Sequence, residues 1–303
     1  MPRRDDLVVI EVALNGVHSK RHAEQLPITP DEIAADMIRC LDAGASICHA
    51  HDRIEAGTTP AQLEEIVAGT YRQVLAAHPD AILYPATTWG GPLRERWSHH
   101  AGLARAGLIK TGFVDPGSTN LGVLDEHGVP APTEFIYAHS YADIRWWFEE
   151  CERLRIAPNL SIFEPGFLQA ALAYERAGRL PAGTYARFYF GGGEYLTARP
   201  GPFSFGMPPL LPCLDAYLAM LDYSRSALPW FVAVLAGDVI ASGLARAALE
   251  RGGHVRVGLE DAAGARECSN ADLVEEAVAL AHSVGRRVAT PAETAKLFGF
   301  PRA

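Results

Sequence analysis

Residues 29–52, TPDEIAADMIRCLDAGASICHAHD, contain one amphipathic helix followed by one apolar strand, and this unit decides the fold. The helix pattern begins at Thr29, a favoured N-cap residue, continues with a proline and with Glu32, and ends at Gly44. The strand pattern follows at 45–52, where a short apolar run ends at two histidines. A helix that leads into a short buried strand is typical of parallel α/β proteins.

The same unit recurs along the whole chain. Eight strand candidates each precede a longer amphipathic stretch. They lie at residues 7–16, 45–52, 81–88, 108–115, 157–164, 184–192, 229–237 and 254–261. Eight such units in 303 residues predict a (β/α)8 TIM barrel that forms a single domain. The alternative is a doubly wound open sheet, which would have fewer strands and usually a G-x-G-x-x-G turn after the first one.

Two loop insertions interrupt this regular pattern. One is expected near 116–140, after the fourth strand, and the other near 193–208, after the sixth. Both follow the carboxyl ends of strands, which is the face of a barrel where active sites are built.

Composition excludes several classes of protein. The chain is 49% hydrophobic and 21% charged, and its net charge of −9 comes from interspersed residues, which argues against nucleic acid as a partner. No apolar run is long enough to span a bilayer, and the first residues lack the pattern of a signal peptide, so we expect a cytoplasmic protein. Five scattered cysteines without C-x-x-C spacing predict reduced thiols and no disulfide framework.

His49 and His51 are the first candidates for chemistry, at the end of the second strand. Residues two apart on a strand share a face, so both imidazoles can reach one divalent ion such as zinc, iron, nickel or copper. The alternative is that they are two polar residues closing a strand, one hydrogen-bonded in place and the other facing solvent.

The eighth strand ends in VRVGLED, residues 255–261, and supplies a carboxylate. In a closed ring the second and eighth strands flank the first, so their ends lie roughly 10 Å apart. Glu260 or Asp261 could then join the two histidines, and along a strand Glu260 would share its face with Arg256. Two histidines and one carboxylate leave positions open for water or substrate. The alternative is an acid pair that stabilises a helix N-terminus.

Several motifs resemble those of the β-keto acid cleavage enzymes, and together they extend over almost the whole chain. The H-x-H motif and the later R-x-G-x-E-D motif are specific when they occur together. The matching segments are EVALNG (11–16), LPITPDEIAADMIRCLDAGASICHAHDR (26–53), TTWGG (87–91), TGFVDPGSTNLG (111–122), FEPGF (163–167), GGHVRVGLED (252–261) and SNADLVEEAVALAHSVGRRVATP (269–291).

The resemblance implies a homotetrameric TIM-barrel zinc enzyme that turns a β-keto acid and acetyl-CoA into acetoacetate and a new acyl-CoA. An enolate would attack the thioester, and a retro-Claisen step would cleave the adduct. By the family pattern His49, His51 and Glu260 are the Zn²⁺ ligands, and Arg256 and Asp261 assist proton handling and charge stabilisation. Asp261, held ionised by the arginine, is then the expected general base. The alternative for this pair is a structural ion pair.

Substrate contacts carry over less completely. Thr88 and Gly91 match the family's substrate-binding positions after the third strand, although a threonine there also suits an ordinary strand. A threonine of the fourth strand contacts substrate in the founding member. Here Thr111, Phe113 and Asp115 share one face, so the match stays open among the three.

The chain departs from the family pattern at two places. His18 stands where the founding member has a glutamate that binds the substrate's amino group, which predicts a β-keto acid with a hydroxyl, apolar or carboxylate end. Asp238 stands where members often carry arginine, which puts the contacts to acetyl-CoA in question. Glu164 either points into the site or caps the next helix.

Two other activities remain as alternatives. One is a metal-dependent keto-acid aldolase or hydrolase that does not use CoA. The other is a barrel without catalysis that binds a small acid.

Overall fold

Eight parallel strands form the centre of the molecule. The computed structural model describes residues 6–54, 57–88, 90–192, 195–196, 199–200, 206–262 and 265–301. The strands are β1 (Ile10–Ala13), β2 (Ile47–Ala50), β3 (Ile82–Pro85), β4 (Thr111–Val114), β5 (Ala157–Ile162), β6 (Tyr185–Gly191), β7 (Trp230–Leu235) and β8 (His254–Val257). Each lies within one of the eight predicted segments.

The strands run in the order β3-β2-β1-β8-β7-β6-β5-β4. The two end strands, β3 and β4, lie side by side, so the sheet is nearly closed into a barrel. This order confirms the (β/α)8 TIM barrel and excludes the doubly wound sheet, in which helices would cover an open sheet. β1 pairs with β8 on one edge and with β2 on the other, as the predicted ring requires.

Helices surround the barrel and begin where the sequence places N-cap residues. Thr29 forms a capping box with Glu32, and Gly44 ends that helix with a positive φ of 117°, as predicted. The helices are α1 (Pro30–Ala43), α2 (Pro60–Ala77), α3 (Leu93–Arg96), α4 (Ser98–Arg105), α5 (Tyr141–Leu154), α6 (Pro165–Arg176), α7 (Leu211–Ser224), α8 (Leu244–Glu250), α9 (Leu259–Ala262), α10 (Asn270–Ser283) and α11 (Pro291–Phe298).

The first and last strands differ from the prediction in length. Residues Leu7–Val8 leave the barrel and pair with Arg287–Val288. β8 stops at Val257, because Gly258 has a φ of 133° and turns the chain into α9. A side chain at this glycine would collide with the Ala13 backbone, since a Cβ would lie 2.0 Å from its carbonyl oxygen. The acids of the GLED motif therefore lie on a helical turn and not on a strand.

The first predicted insertion follows the carboxyl end of β4. In the segment 116–140, Thr119 and Tyr137 form an antiparallel bridge, so this loop folds back on itself. Most of the segment 193–208 lies outside the described residues. Within it, Tyr195–Leu196 pairs antiparallel with Arg199–Pro200.

The remaining expectations from composition concern cysteines and membranes. All five cysteines are free in the structure, and Cys40, Cys48 and Cys151 are buried. Among the described helices, none has both the length and the apolar character needed to cross a bilayer.

Candidate active site

Three predicted metal ligands meet at the carboxyl end of β1, β2 and β8. His49 Nε2 lies 3.4 Å from Glu260 Oε2, and His51 Nε2 lies 3.7 Å from Glu260 Oε1. One ligand atom from each residue lies within 4.8 Å of the other two. Glu260 Oε2 is buried and has no hydrogen-bond partner among the described residues. A buried carboxylate oxygen that faces two imidazoles fits a divalent cation.

His49 is held as a neutral ligand by its surroundings. Its ring stacks on Tyr84 with 4.4 Å between centroids, and Nδ1 lies 3.1 Å from the Tyr84 carbonyl oxygen. A carbonyl oxygen can only accept, so Nδ1 carries the proton and donates it, which leaves the Nε2 lone pair directed at Glu260. Burial lowers the pKa of His49 well below its usual value, so the ring stays neutral.

His51 lies just past the end of β2 and is fixed through its backbone. Asn15 Oδ1 accepts a hydrogen bond from the His51 amide at 2.8 Å, and Asn15 Nδ2 donates to the His51 carbonyl at 3.0 Å. Asn15 Nδ2 also donates to the Pro27 carbonyl at 3.0 Å. Asn15 therefore ties the chain after β1 to the chain after β2 and holds the second imidazole beside the first.

Glu260 reaches the histidines from the turn of α9. Burial acts to raise the pKa of Glu260, but the pKa lies well below its usual range, and the charge of Arg256 is the largest cause that lowers it. Gly16 makes room for this side chain, because a Cβ at that glycine would lie 2.6 Å from Glu260 Cγ. Glu260 and Arg256 were predicted to share one face of a strand. This prediction is wrong, because β8 ends at Val257, before Glu260.

Arg256 contacts both acids of the turn. Its Nη2 donates to Glu260 Oε1 at 2.7 Å, and its Nε donates to Asp261 Oδ2 at 2.8 Å. Asp261 is buried, and burial raises its pKa despite the opposing effect of the arginine. Arg256 lines the cleft above the barrel together with Glu260, whereas Asp261 lies behind the arginine and is not among the described lining residues.

A second buried arginine completes the floor of the cleft, and sequence analysis missed it. Arg187 on β6 donates to Glu11 on β1 and to the Tyr84 hydroxyl, and its Nη2 donates to Asn159 Oδ1 at 2.7 Å. Arg256 Nη1 lies 3.3 Å from the same Glu11 oxygen. One carboxylate thus holds two guanidiniums beneath the candidate metal site. The sequence did give one indication of Arg187, because it is a charged residue within an apolar strand pattern.

The other predicted substrate contacts fall in different places. His18 lines the cleft, and its Nε2 donates to the Glu260 carbonyl at 2.9 Å. Thr88 lies against an adjoining cavity, while Thr87 lines the cleft itself. Gly91 is exposed and is not among the described lining residues of the cleft. The roles of His18, Thr88 and Gly91 in substrate binding stay predictions.

The three candidates of the fourth strand separate clearly. Phe113 and Asp115 line the cleft. Thr111 lies deeper in the barrel, where its hydroxyl donates to the Ala157 carbonyl at 2.7 Å. Tyr137, from the loop after β4, also lines the cleft and donates to Asp115.

Glu164 and Asp238 have structural partners. Glu164 is the N-cap residue of α6, but its side chain makes no capping hydrogen bond; its Oε1 accepts from Thr119 Oγ1 at 3.3 Å and from the Gly206 amide at 2.9 Å, which joins the two loop insertions. Asp238 Oδ1 accepts from the amides of the two residues that follow Val239, at 2.8 and 3.0 Å. Its other oxygen lies 3.4 Å from Arg266.

The fold and the site together give the class of this protein. It is a (β/α)8 barrel with a candidate metal site, made of two histidines and a carboxylate, at the carboxyl ends of its strands. The chain belongs to the β-keto acid cleavage enzyme family, because the model of that family, described as beta-keto acid cleavage enzyme, matches residues 7–300. The resemblance drawn from the motifs is confirmed, and the protein is an enzyme of this family.

Characterised relatives cover the chain almost completely. It is 28% identical over 304 residues to the 3-keto-5-aminohexanoate cleavage enzyme of Acetoanaerobium sticklandii. The alignment covers 97% of this chain and 99% of that protein. It is 27% identical over 301 residues to the 3-oxoadipate:acetyl-CoA acetyltransferase of Cupriavidus necator, covering 97% and 95%. The solved complex of ObcA with oxaloacetate matches with a TM-score of 0.64 and 16% identity over 92% of this chain and 68% of that one, which supports the fold alone.

Proposed function

We propose that this protein is a zinc-dependent β-keto acid cleavage enzyme that converts a β-keto acid and acetyl-CoA into acetoacetate and a new acyl-CoA. The observation that carries the proposal is the convergence of His49, His51 and Glu260 on one point, with an unpartnered carboxylate oxygen directed there. Zinc held by these three residues would supply a Lewis acid to the oxygens of the keto acid. The names of the two relatives support the reaction and the use of acetyl-CoA.

The charges around the cleft floor suit an anionic substrate. Arg187 and Arg256 carry two positive charges, and Glu11, Glu260 and Asp261 carry three negative ones. The set therefore bears one net negative charge, which a divalent cation would make positive. Arg187 Nε is buried without a hydrogen-bond partner among the described residues, and the guanidinium lines the cleft. It is the group that we assign to the substrate carboxylate.

Arg256 and Asp261 act as a pair in this proposal. The guanidinium faces the cleft and stabilises negative charge that develops on the reacting keto acid. Asp261 binds it from behind through two oxygens, at 2.8 and 3.1 Å, and so fixes its orientation. That placement supports Asp261 as a positioning residue. Its predicted role as the base that removes the C2 proton stays a prediction.

His18 supports a substrate without an amino group. Because Nε2 donates to the Glu260 carbonyl, Nδ1 is an acceptor, and it is buried without a hydrogen-bond partner among the described residues. Burial lowers the pKa of His18, so the ring is neutral and lacks the negative charge with which a carboxylate at this position would pair with an ammonium group. Asp238 is occupied by a turn and by Arg266, so we assign the acetyl-CoA contacts to other residues.

A panel of β-keto acids tests the proposal. The purified enzyme is incubated with each acid and acetyl-CoA, and acetoacetate and the new acyl-CoA are measured by mass spectrometry. We expect both products in equal amounts, bound zinc near one per chain, and no cleavage without acetyl-CoA. Cleavage that is indifferent to acetyl-CoA would instead establish the aldolase or hydrolase. Bound metal without any turnover would establish the binding protein. The homotetramer also stays a prediction, which sedimentation of the purified chain tests.

A further inference from the structure

The cleft has a second set of polar groups, besides the candidate metal ligands, that the proposed reaction does not use. Asp115 follows β4, lines the cleft and is only 2% exposed. The Tyr137 hydroxyl donates to its Oδ2, whereas Oδ1 is buried and has no hydrogen-bond partner among the described residues. A buried carboxylate oxygen of this kind requires a donor, and the cleft is where a ligand can bring one.

Arg96, the last residue of α3, also lines the cleft. Its Nη2 makes a long contact of 3.4 Å with His139 Nε2, and its Nε is buried without a partner among the described residues. Burial lowers the pKa of His139, so its neutral ring accepts from the arginine and does not neutralise it. No carboxylate in the described part of the chain forms an ion pair with Arg96. This guanidinium therefore requires an acceptor.

The two groups belong to one cluster. Tyr137 contacts Asp115, its ring centroid lies 4.8 Å from that of His139, and His139 contacts Arg96. The cluster holds one carboxylate and one guanidinium, so its net charge is zero. Phe113, Phe163 and Tyr189 provide aromatic lining in the same cleft.

We propose that Asp115 and Arg96 select β-keto acids whose far end is an uncharged group that both donates and accepts a hydrogen bond, namely a hydroxyl or a carboxamide. This inference rests on the proposed function and names its substrate class. Such a group donates to Asp115 Oδ1 and accepts from Arg96 Nε, so both of these buried atoms gain a partner. The discrimination comes from polar groups that a wrong substrate leaves unpaired.

Other chain ends satisfy only part of the cluster. An ammonium group would pair with Asp115 but lie beside Arg96, and a carboxylate would pair with Arg96 but lie beside Asp115. Either would add one net charge to a neutral, partly buried cluster. A methyl group would leave both the oxygen and the guanidinium without partners.

The test compares four β-keto acids of equal chain length, ending in hydroxyl, methyl, carboxylate or ammonium, each with acetyl-CoA and the zinc-loaded enzyme. We expect kcat/KM for the hydroxyl acid to exceed that for the methyl acid by about tenfold or more, because hydrogen bonds to charged groups are being gained. Both charged acids should react less efficiently than the hydroxyl acid.

Two variants locate the preference. Asp115→Asn replaces the acceptor Oδ1 by a donor, so the advantage of hydroxyl over methyl should fall by about tenfold while the carboxylate acid gains. Arg96→Gln should instead favour the ammonium acid. Glu134→Gln, an exposed acid on the same loop, and Arg94→Gln, in the same helical turn and above the Trp146 ring, are the matched controls.

The outcomes separate the two proposals. Turnover of all four acids with equal efficiency, or a best substrate that is charged, overturns this inference and leaves the proposed function standing. A preference that survives both variants overturns the assignment to Asp115 and Arg96. Failure of all four acids to react contradicts the proposed function and, with it, the inference.

Discussion

The pair His49 and His51 and the pair His99 and His100 both lie near the mouth of this barrel, but of the two only the first forms part of a candidate metal site in the described part of the chain. The rings of His49 and His51 are 5.1 Å apart, and both face the carboxylate of Glu260. The rings of His99 and His100 are 4.4 Å apart, and each has its Nε2 near a backbone carbonyl, of Ala86 and Pro85 respectively.

The difference lies in what the remaining nitrogens meet. In the first pair, the Tyr84 carbonyl occupies Nδ1 of His49 and leaves its Nε2 lone pair toward Glu260, and His51 Nε2 lies near the same carboxylate. In the second pair, Nε2 is the proton donor, and the His100 ring stacks on Trp97 at 4.7 Å. Burial lowers the pKa of His99 to about 4, so this pair is neutral and structural. A carboxylate from a distant strand end distinguishes a ligand pair from a structural one.

Removal of one ligand should have the largest effect. His49→Ala is expected to abolish stable zinc binding and to reduce kcat/KM by about 1,000-fold or more, because several kcal/mol of transition-state stabilisation go with the ion. Zinc content by mass spectrometry and acetoacetate formation are the measurements. His99→Gln is the control and should keep both. Full zinc content in His49→Ala would contradict the assignment of this pair.

Asp261→Asn tests the acid that lies behind Arg256. It keeps the size of the side chain but removes one charge-assisted contact to Arg256. We expect normal zinc content and a kcat lowered by about 100-fold, in the range of groups that handle protons or developing charge. If Asp261 is the base, the low-pH limb of the kcat profile disappears; if it positions the arginine, the limb stays and only its height falls. Unchanged turnover would contradict both roles.

The sequence predicts the barrel and the pair of neighbouring histidines because both depend on regular periods. Eight apolar runs with capped helices between them indicate a closed ring, and H-x-H at the end of β2 depends only on alternation along a strand. The assignment of Thr88 rests on the family resemblance instead, and it stays a prediction. β3 ends at Pro85, so the chain has left the strand before Thr87 and Thr88, and Thr87 lines the cleft.

The buried charge network could not be predicted, because its members come from strands far apart in the sequence. Glu11 on β1 and Arg187 on β6 are charged residues inside apolar segments, and each is stable there only because the other supplies its partner. The turn that carries Glu260 was also missed, since it depends on Gly258 passing close to the backbone of β1. Local periodicity in the sequence does not predict which residues pair across the barrel.

Asn15→Ala should weaken zinc binding less than His49→Ala does, because it leaves the rings of both His49 and His51 in place. The variant loses the two hydrogen bonds that fix the backbone of His51. We expect zinc affinity to fall by about 10- to 100-fold, the usual result of removing a group that orients a ligand. Competition with a zinc-binding dye measures it. At saturating zinc kcat should recover, and unchanged affinity would show that His51 needs no such support.

His99 should affect stability and its pH dependence while leaving catalysis intact. Its folded pKa of about 4 lies below the unfolded value near 6.5, so between these values only the unfolded chain binds the proton. The stability that a neutral His99 contributes is complete above pH 6.5 and is lost as the pH falls toward 4. From pH 6.5 to 5 the loss is about 2 kcal/mol. Urea unfolding at the two pH values measures it, and His99→Gln should remove this part of the slope. An identical slope in the variant would show that His99 is protonated in the folded enzyme, which would end its role as the structural counterpart of His49.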